Sequence, residues 1–183
     1  VSKGKGYESV LMQGSGTFAI ESVVGTVLGN EDTLLVLVNG AYGERIVKIA
    51  SVLGISHKVL RFEEDEIVSP EATDSFIKSN PDITQVACIH SETTTGLFNP
   101  LTEIGAICKK HNKTFMVDAM SSFGGVEMDM QGMNIDYLVS SSNKCIEGVP
   151  GFAFVLCKRN LLEGCRGRAR SLSLDLYAQW QGL

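Results

Sequence analysis

Short apolar segments alternate with amphipathic segments along the chain as far as residue 118. Segments with the composition of β-strands cover residues 8–12, 33–38, 56–61, 85–90 and 114–118. Segments whose apolar residues repeat at helical spacing lie between them, at residues 17–28, 45–53, 70–78 and 101–111. This alternation is typical of an α/β protein in which helices cover both faces of a mostly parallel sheet. We therefore predict a three-layer α/β/α fold.

The pattern changes after residue 119. Apolar segments at residues 137–140 and 151–157 are separated by a loop that is too short for a crossover helix. We predict that this pair is antiparallel, because parallel neighbours need a longer connection. No internal repeat or low-complexity linker divides the chain, and we interpret residues 1–183 as one domain.

The composition argues against several classes of protein. Of the 183 residues, 44% are hydrophobic and 20% are charged, which indicates a folded globular chain rather than a disordered one. The net charge of −5 disfavours nucleic acid as a partner. No apolar run approaches the ~18 residues of a membrane helix, so no membrane partner is expected. These features favour a cytoplasmic protein.

The five cysteines form no Cys-x-x-Cys pair, which argues against a disulfide framework and against a zinc site. We interpret them as reduced thiols and predict no metal site. Cys145, next to Lys144, is a candidate reactive group. Since cysteine is among the most buried residue types, we expect Cys145 to have a packing role instead.

Two charged residues follow neighbouring apolar segments. Asp118 ends the segment at residues 114–118, and Lys144 follows the small polar residues after residue 140. In a mostly parallel sheet, ligands bind at the edge where the strands end. A carboxylate and an amine there suit pyridoxal 5′-phosphate: the lysine forms an imine with the aldehyde, and the acid keeps the pyridine nitrogen protonated. An ordinary surface charge is the alternative interpretation of Lys144.

Three other loops offer groups that suit the same cofactor. Gly14-Ser-Gly-Thr17 precedes a helix and is compatible with a phosphate-binding turn, although a plain helix cap explains it equally well. Tyr42 follows the second strand and either stacks on a flat ring or packs on the sheet end. Thr93 lies in a hydroxyl-rich loop. We expect Glu92 to order or cap that loop and His90 to support the strand end.

Five motifs together resemble the class V aminotransferases of pyridoxal phosphate fold type I. They are Gly14-Ser-Gly-Thr17, Asn39-Gly-Ala-Tyr-Gly43, His90-Ser-Glu-Thr-Thr-Thr-Gly96, Val117-Asp-Ala-Met-Ser-Ser-Phe-Gly-Gly125 and Ser140-Ser-Ser-Asn-Lys-Cys145. The spacing of Asp118 and Lys144 agrees with that family as well. The resemblance extends over nearly the whole chain and implies the large, cofactor-binding domain of that fold.

The resemblance also implies a role for each residue at these strand ends. Lys144 would bind the aldehyde of the cofactor and later carry a proton between the substrate and the cofactor. Asp118 would hold the protonated pyridine nitrogen. The remaining contacts would come from Ser15, Gly16 and Thr17 at the phosphate, with Asn143 nearby, from Tyr42 and Met120 on the two faces of the ring, and from Thr93 at its phenolic oxygen.

Within the family, the resemblance is strongest to members that transfer the amine of 2-aminoethylphosphonate to pyruvate, giving phosphonoacetaldehyde and L-alanine. It implies small-molecule substrates and a homodimer. An alanine:glyoxylate or serine:pyruvate aminotransferase is one alternative. A catalytically inert, truncated domain that still binds pyridoxal 5′-phosphate is another.

The chain is shorter than members of that family. It begins at Val1 without an initiator methionine and ends before the region in which the family has its small C-terminal domain. The expectation is therefore a large domain that is incomplete at both ends, with the small domain absent. Arg168 and Arg170 are able to attract a phosphonate, but we expect them to be solvated surface charges.

Overall fold

The computed structural model describes residues 6–182, which form one seven-stranded β-sheet. The strands are β1 (Tyr7–Gln13), β2 (Thr33–Val38), β3 (Ser56–Arg61), β4 (Gln85–Ile89), β5 (Thr114–Asp118), β6 (Tyr137–Ser141) and β7 (Phe152–Lys158). Their order across the sheet is β1-β7-β6-β5-β4-β2-β3. Residues 1–5 and 183 lie outside the described part. The expectation that concerns Val1, at the start of the chain, therefore falls outside it as well.

The sheet is mostly parallel, as predicted. β3, β2, β4, β5 and β6 run in the same direction. β7 is antiparallel to both of its neighbours, β6 and β1, which confirms the antiparallel pair predicted from its short connection. β1 therefore points the same way as the parallel strands. As a result, the carboxyl ends of β1, β2, β4, β5 and β6 lie at one edge of the sheet.

The described residues contain the helices α1 (Gly16–Val27), α2 (Ala41–Val52), α3 (Pro70–Ser79), α4 (Leu101–Lys110), α5 (Arg159–Glu163) and α6 (Leu176–Gln181). The sequence pattern predicts the first four but not α5 and α6. These two are short, and α6 depends on distant partners: the Leu176 N–H donates to Thr26 Oγ1 at 3.1 Å, and Trp180 Nε1 donates to Glu8 at 3.3 Å. No helix of the described part is long and apolar enough to span a membrane.

Two apolar clusters, one on each face of the sheet, produce the three layers. One cluster joins β2 to α1 and α2 and includes Val36 and Ile46. The other joins β2 to α3 and α4 and includes Leu35 and Ile104. All residues of β2 are buried, because successive side chains point to opposite faces and helices cover both. The predicted α/β/α architecture is confirmed.

Candidate active site

Asp118 is the last residue of β5, between β4 and β6 in the sheet. Its carbonyl oxygen accepts the N–H of His90 at 2.8 Å, so its backbone is fixed. The residue is 7% exposed, and its Oδ1 accepts the N–H of Met120 at 3.0 Å. This is the one hydrogen bond that the structure records for the carboxyl group within residues 6–182. The other oxygen, Oδ2, is therefore available to a ligand that carries a proton.

The surroundings of Asp118 disfavour its charged form. Burial raises the pKa of this carboxyl to about 6, and the carboxylate of Glu92 adds to the rise. The Met120 N–H and the positive charges of Arg45 and Lys144 act in the opposite direction. A cationic group at Oδ2 would stabilise the ionised carboxylate further. The pocket therefore suits a protonated ring nitrogen.

Lys144 lies in the turn that follows β6, and its side chain is exposed. The N–H of Glu147 donates to the carbonyl oxygen of Lys144 at 2.8 Å, which holds the backbone of this turn. The charge of Lys144 is near enough to the carboxyl of Asp118 to lower its pKa. The structure thus brings the amine and the carboxylate to neighbouring loops of one edge, as the sequence pattern indicates.

Cys145 is exposed, so the expectation that this thiol packs in the interior is wrong. The turn has already left the sheet at this residue, and the thiol rests on the segment that follows β5. Its Sγ donates to the carbonyl oxygen of Ser121 at 3.4 Å and lies beside Gly125. The remaining cysteines are free and buried, in agreement with the usual preference of cysteine.

The loop between β1 and α1 brings a helix N-terminus to the same edge. Gly14 has a φ of +105°, which favours glycine, and its N–H donates to the carbonyl oxygen of Gly151 at 2.9 Å. Ser15 is the N-cap residue of α1, but its side chain makes no capping hydrogen bond. The first N–H groups of a helix have no partner within it, so those of Gly16 and Thr17 are available to an anion.

Gly16 is packed directly against Met120. A Cβ atom at Gly16 would overlap the Sδ atom of Met120, so a larger residue does not fit without a shift of that side chain. Because Met120 also donates its N–H to Asp118, this contact holds the N-terminus of α1 close to the buried carboxyl. The predicted phosphate-binding loop and the predicted ring-binding residues therefore belong to one packed group.

α2 begins at Ala41, not at residue 45 as the periodicity indicates. Glu92, which is fully buried, explains the difference: its carboxylate accepts the N–H of Gly43 at 3.0 Å and that of Tyr42 at 3.3 Å. A carboxylate at a helix N-terminus satisfies such N–H groups and interacts favourably with the helix dipole. Glu92 therefore has a structural role, but it caps α2 rather than its own loop.

Tyr42 lies in the first turn of α2, and its ring is half-buried. The guanidinium group of Arg45, one turn further along, lies 4.9 Å from the centroid of that ring. Arg45 also donates from Nη1 to Oγ1 of Thr17 in α1 at 3.3 Å. These three residues, with Asp118 and Met120, line a small cavity of about 20 Å³. An arginine thus connects the N-termini of two helices at the site.

Thr93 and His90 form two hydroxyl contacts across the loops that follow β4 and β5. The hydroxyl group of Thr93 lies 2.6 Å from that of Ser121, and both residues are at the accessible side of the site. His90 Nδ1 lies 2.8 Å from the hydroxyl oxygen of Ser122. Burial lowers the pKa of His90, so its ring is neutral at neutral pH and supports the strand end rather than carrying charge.

Asn143, Arg168 and Arg170, which the sequence suggests as possible ligand contacts, make no recorded contact with the site residues around Asp118. Asn143 is exposed beside Lys144, and the structure records no hydrogen bond from its side chain to any of residues 6–182. Arg168 pairs with Asp32 at 2.6 Å, and Arg170 donates to the carbonyl oxygen of Leu28 at 3.4 Å. Both arginines are therefore engaged near the start of β2, at the opposite edge of the sheet, and are not simply solvated.

Arg45 and Ser121 lie at the site, but their signals are too weak to be recognised from the sequence alone. Arg45 shares a helix face with Tyr42, and this is visible only once α2 is known to begin before Tyr42. Ser121 belongs to the polar run after Asp118. Its contact with Thr93 depends on β4 and β5 being neighbours in the sheet.

Comparison with known proteins agrees with this geometry. The sequence model of the family described as "Aminotransferase class-V" matches residues 4–170. The chain belongs to the class V aminotransferase family. Proteins named 2-aminoethylphosphonate–pyruvate transaminase from Salmonella paratyphi B and Salmonella paratyphi C are 52% and 51% identical to it over 179 residues. Each alignment covers 97% of this chain and 48% of the relative, so the chain spans about half the length of these curated relatives.

Solved structures share the fold of this class V aminotransferase chain. Pyridoxamine–pyruvate aminotransferase from Mesorhizobium loti has a TM-score of 0.85 at 26% identity and covers 94% of this chain and 45% of its own. Alanine–glyoxylate aminotransferase from Nostoc sp. has a TM-score of 0.86 at 25% identity and covers 93% of this chain and 46% of its own. Membership of the family implies pyridoxal 5′-phosphate as the cofactor.

The residues of this chain fit that cofactor. The uncommitted hydroxyl group of Ser15 and the N–H groups at the start of α1 suit a phosphate. The second oxygen of Asp118 suits a protonated ring nitrogen. Within residues 6–182, no group of three or more His, Cys, Asp or Glu side chains is arranged to hold a metal ion.

Proposed function

We propose that this chain is the cofactor-binding part of a transaminase that moves the amino group of 2-aminoethylphosphonate to pyruvate, giving phosphonoacetaldehyde and L-alanine. The observation that carries the proposal is the carboxyl group of Asp118. It is buried, its pKa is raised to about 6, and one of its oxygens has no recorded partner within residues 6–182. Lys144 lies in a loop of the same sheet edge.

Asp118 would hold a proton at the pyridine nitrogen through Oδ2. When bound, pyridoxal 5′-phosphate supplies an electron-withdrawing ring that stabilises negative charge on the substrate carbon. That property requires the ring nitrogen to stay protonated, and a buried carboxylate favours a cationic partner. The pairing also removes the energetic cost of leaving the Asp118 charge buried without a counter-ion.

Lys144 would bind the aldehyde of the cofactor covalently through Nζ and would act as the base afterwards. The amine at Nζ would serve as the group that moves a proton between the substrate carbon and the cofactor. The exposed side chain has freedom to make both movements, while the hydrogen bond from Glu147 holds the backbone of the turn.

The other site residues would bind and orient the cofactor. An anion at the start of α1 interacts with the free N–H groups and with the helix dipole. We propose the following contacts: Ser15, Gly16, Thr17 and Asn143 with the phosphate, Tyr42 and Met120 with the two faces of the ring, and Thr93 with the phenolic oxygen. The contact between the hydroxyl groups of Ser121 and Thr93 supports the last of these, because it orients Thr93.

The choice of substrates rests on the names of the curated relatives. Two of them, at 52% and 51% identity over 97% of this chain, are both named for 2-aminoethylphosphonate and pyruvate. The solved structures named for other reactions are 26% and 25% identical, and they carry no comparable argument for a substrate. The alanine:glyoxylate reaction is therefore the alternative outcome of the test below.

We further propose that residues 1–183 are the large domain of an enzyme that is a homodimer in the cytoplasm. Several apolar side chains around the site are exposed, among them Phe18, Phe98 and Val149, and a second subunit would shield them from water. The free thiols suit a reducing compartment. Sedimentation equilibrium with the cofactor present tests the dimer, and a monomer at every concentration would contradict it. Cell fractionation tests the location.

Addition of pyridoxal 5′-phosphate to the purified chain tests the function. We expect a visible absorbance band that is absent in Lys144→Ala, and we expect 2-aminoethylphosphonate to bleach the band. Subsequent addition of pyruvate should restore the band and form alanine. Bleaching by alanine with restoration by glyoxylate, and no response to 2-aminoethylphosphonate, would assign the alternative reaction. A band that neither amino donor bleaches would leave the inert, truncated domain that binds the cofactor, and no band at saturating cofactor would contradict the proposal.

A further inference from the structure

Arg45 is engaged differently from other arginines of the chain. Arg61, Arg159 and Arg168 each form an ion pair with a carboxylate. For Arg45 the structure records no carboxylate partner within residues 6–182. Its guanidinium group instead contacts a hydroxyl group and an aromatic ring, both of which belong to the predicted cofactor site.

The contact with Thr17 has a directional consequence. A hydroxyl group has one proton to donate and lone pairs that accept. Because Nη1 of Arg45 donates to Oγ1 of Thr17 at 3.3 Å, one of those lone pairs is occupied. The proton of Thr17 is then directed elsewhere and is available to an acceptor such as a phosphate oxygen.

The contact with Tyr42 has a similar consequence. The guanidinium carbon lies 4.9 Å from the ring centroid, so Arg45 covers one face of the ring. A cation in this position is attracted to the ring and restricts its rotation. Tyr42 lines the small cavity beside Asp118, so Arg45 orients the ring at the position where a flat ligand would bind.

The charge of Arg45 also acts on Asp118. The two residues line the same cavity of about 20 Å³, and Arg45 lowers the pKa of the carboxyl while burial and Glu92 raise it. Lys144, from the turn after β6, acts in the same direction as Arg45. The neutral ring of His90, at the end of β4, adds no charge. Burial raises the pKa of the thiol of the other titratable neighbour, Cys88, so this thiol carries no charge at neutral pH.

We propose that Arg45 is a positioning residue of the cofactor site, which sets the hydroxyl group of Thr17 and the ring of Tyr42 for binding and places a positive charge at the small cavity that Asp118 lines. This inference rests on the proposed function. Arg45 contacts the cofactor through its partners rather than directly. One side chain thereby couples three contacts that come from α1, α2 and β5.

The test measures binding of 4′-deoxypyridoxine 5′-phosphate, which lacks the aldehyde and so cannot react with Lys144. Isothermal titration of the ligand-free chain with this analogue gives an affinity without any catalytic step. For Arg45→Met we expect about tenfold weaker binding at pH 8, from the loss of one hydrogen bond and one cation–π contact. Arg45→Lys, which retains the charge but not the planar fork, should fall between Arg45→Met and the unaltered chain.

The pH dependence separates positioning from a general disturbance of α2. Binding needs an ionised Asp118, so affinity falls as pH decreases through the pKa of that carboxyl. Removal of the positive charge in Arg45→Met raises that pKa, and the midpoint of the loss should move to higher pH. Arg45→Lys should keep the midpoint of the unaltered chain. The phosphate and the ring nitrogen of the analogue titrate equally in every variant, so only differences between variants are compared.

Lys48→Met is the matched control, because it removes one positive charge from the same exposed face of α2 and has no recorded contact with Thr17 or Tyr42. We expect it to bind like the unaltered chain. The inference would be overturned if Arg45→Met bound the analogue as tightly as Lys48→Met does. It would also be overturned if Arg45→Met bound more weakly at every pH but lost affinity at the same midpoint pH as the unaltered chain. Failure of the unaltered chain to bind either the cofactor or the analogue would instead contradict the proposed function.

Discussion

Two buried carboxyl groups lie at the carboxyl end of the sheet, and their hydrogen bonds differ. Glu92 accepts two backbone N–H groups at the start of α2. Asp118 accepts one, from Met120, and its pKa is raised to about 6. Burial is similar in the two cases, so burial alone does not distinguish a structural acid from a functional one. The hydrogen bonds do, because both carboxylate oxygens of Glu92 accept an N–H group, whereas Oδ2 of Asp118 has no recorded partner within residues 6–182 and is open to a ligand.

The largest effect is expected for Asp118→Asn. The amide keeps the size of the side chain but cannot hold a positive charge at the ring nitrogen, so the transamination rate should fall on the order of a hundredfold or more. The ligand-free variant should be no less stable than the unaltered chain. A stopped assay for alanine and a chemical denaturation curve measure the two effects. Loss of stability with activity retained would reverse the assignment of roles.

Glu92→Ala should lose stability, in contrast to Asp118→Asn. Its removal leaves two N–H groups of α2 without an acceptor, and we expect the free energy of unfolding to decrease by about 3 kcal/mol. Glu92→Gln keeps one acceptor oxygen and should cost less. Urea denaturation of both variants checks this order. Equal stability of Glu92→Ala and the unaltered chain would show that the two carboxyl groups do not differ as described.

The stability of the ligand-free chain should depend on pH through Asp118. Its folded-state pKa of about 6 is higher than the ordinary value of 3.8, so the folded chain binds the proton more tightly than the unfolded chain. Stability should therefore decrease as pH rises from about 4 to about 6, by about 2–3 kcal/mol in total. Asp118→Asn should lack this component. An identical pH profile for the two proteins would contradict the raised pKa.

The smallest effect concerns the packing of Gly40 against Glu92. Gly40 has extended backbone, so only its neighbours limit the residue type, and a Cβ atom there would stand 2.6 Å from Cδ of Glu92. We expect Gly40→Ala to decrease stability by about 1–2 kcal/mol. The control is Gly25→Ala in α1, where the new Cβ would stand 3.4 Å from Leu53, an ordinary contact. The change in unfolding temperature relative to the unaltered chain should therefore differ between the two variants, either in sign or clearly in size.

The parts of the fold that depend on local pattern are visible in the sequence. β2, β3 and β5 have the bounds that their apolar runs predict, because each run lies between a helix and a turn. Asp118 and Lys144 are recognisable for the same reason, since Asp118 ends one strand and Lys144 follows the next. Their roles stay a proposal, but their placement at one edge follows from the direction of the strands.

The features that depend on distant contacts are not visible in the sequence. The start of α2 requires the Glu92 carboxylate, which is 49 positions away from Gly43 in the chain. The connection from Arg45 to Thr17 depends on that start. Cysteine is a residue type that is usually buried, yet the turn after β6 holds Cys145 at the surface. In each case the deciding contact joins segments that the linear pattern treats separately.

Chemical trapping tests whether Lys144 is the residue that binds the cofactor and whether Asp118 supports that binding. The chain is incubated with pyridoxal 5′-phosphate, reduced with borohydride and digested, and the mass of each lysine-containing peptide is measured. We expect a phosphopyridoxyl group on the peptide that contains Lys144, at a cofactor concentration where Asp118→Asn is labelled far less. Labelling spread over the exposed lysines, with no preference for Lys144 and no effect of Asp118→Asn, would contradict this expectation.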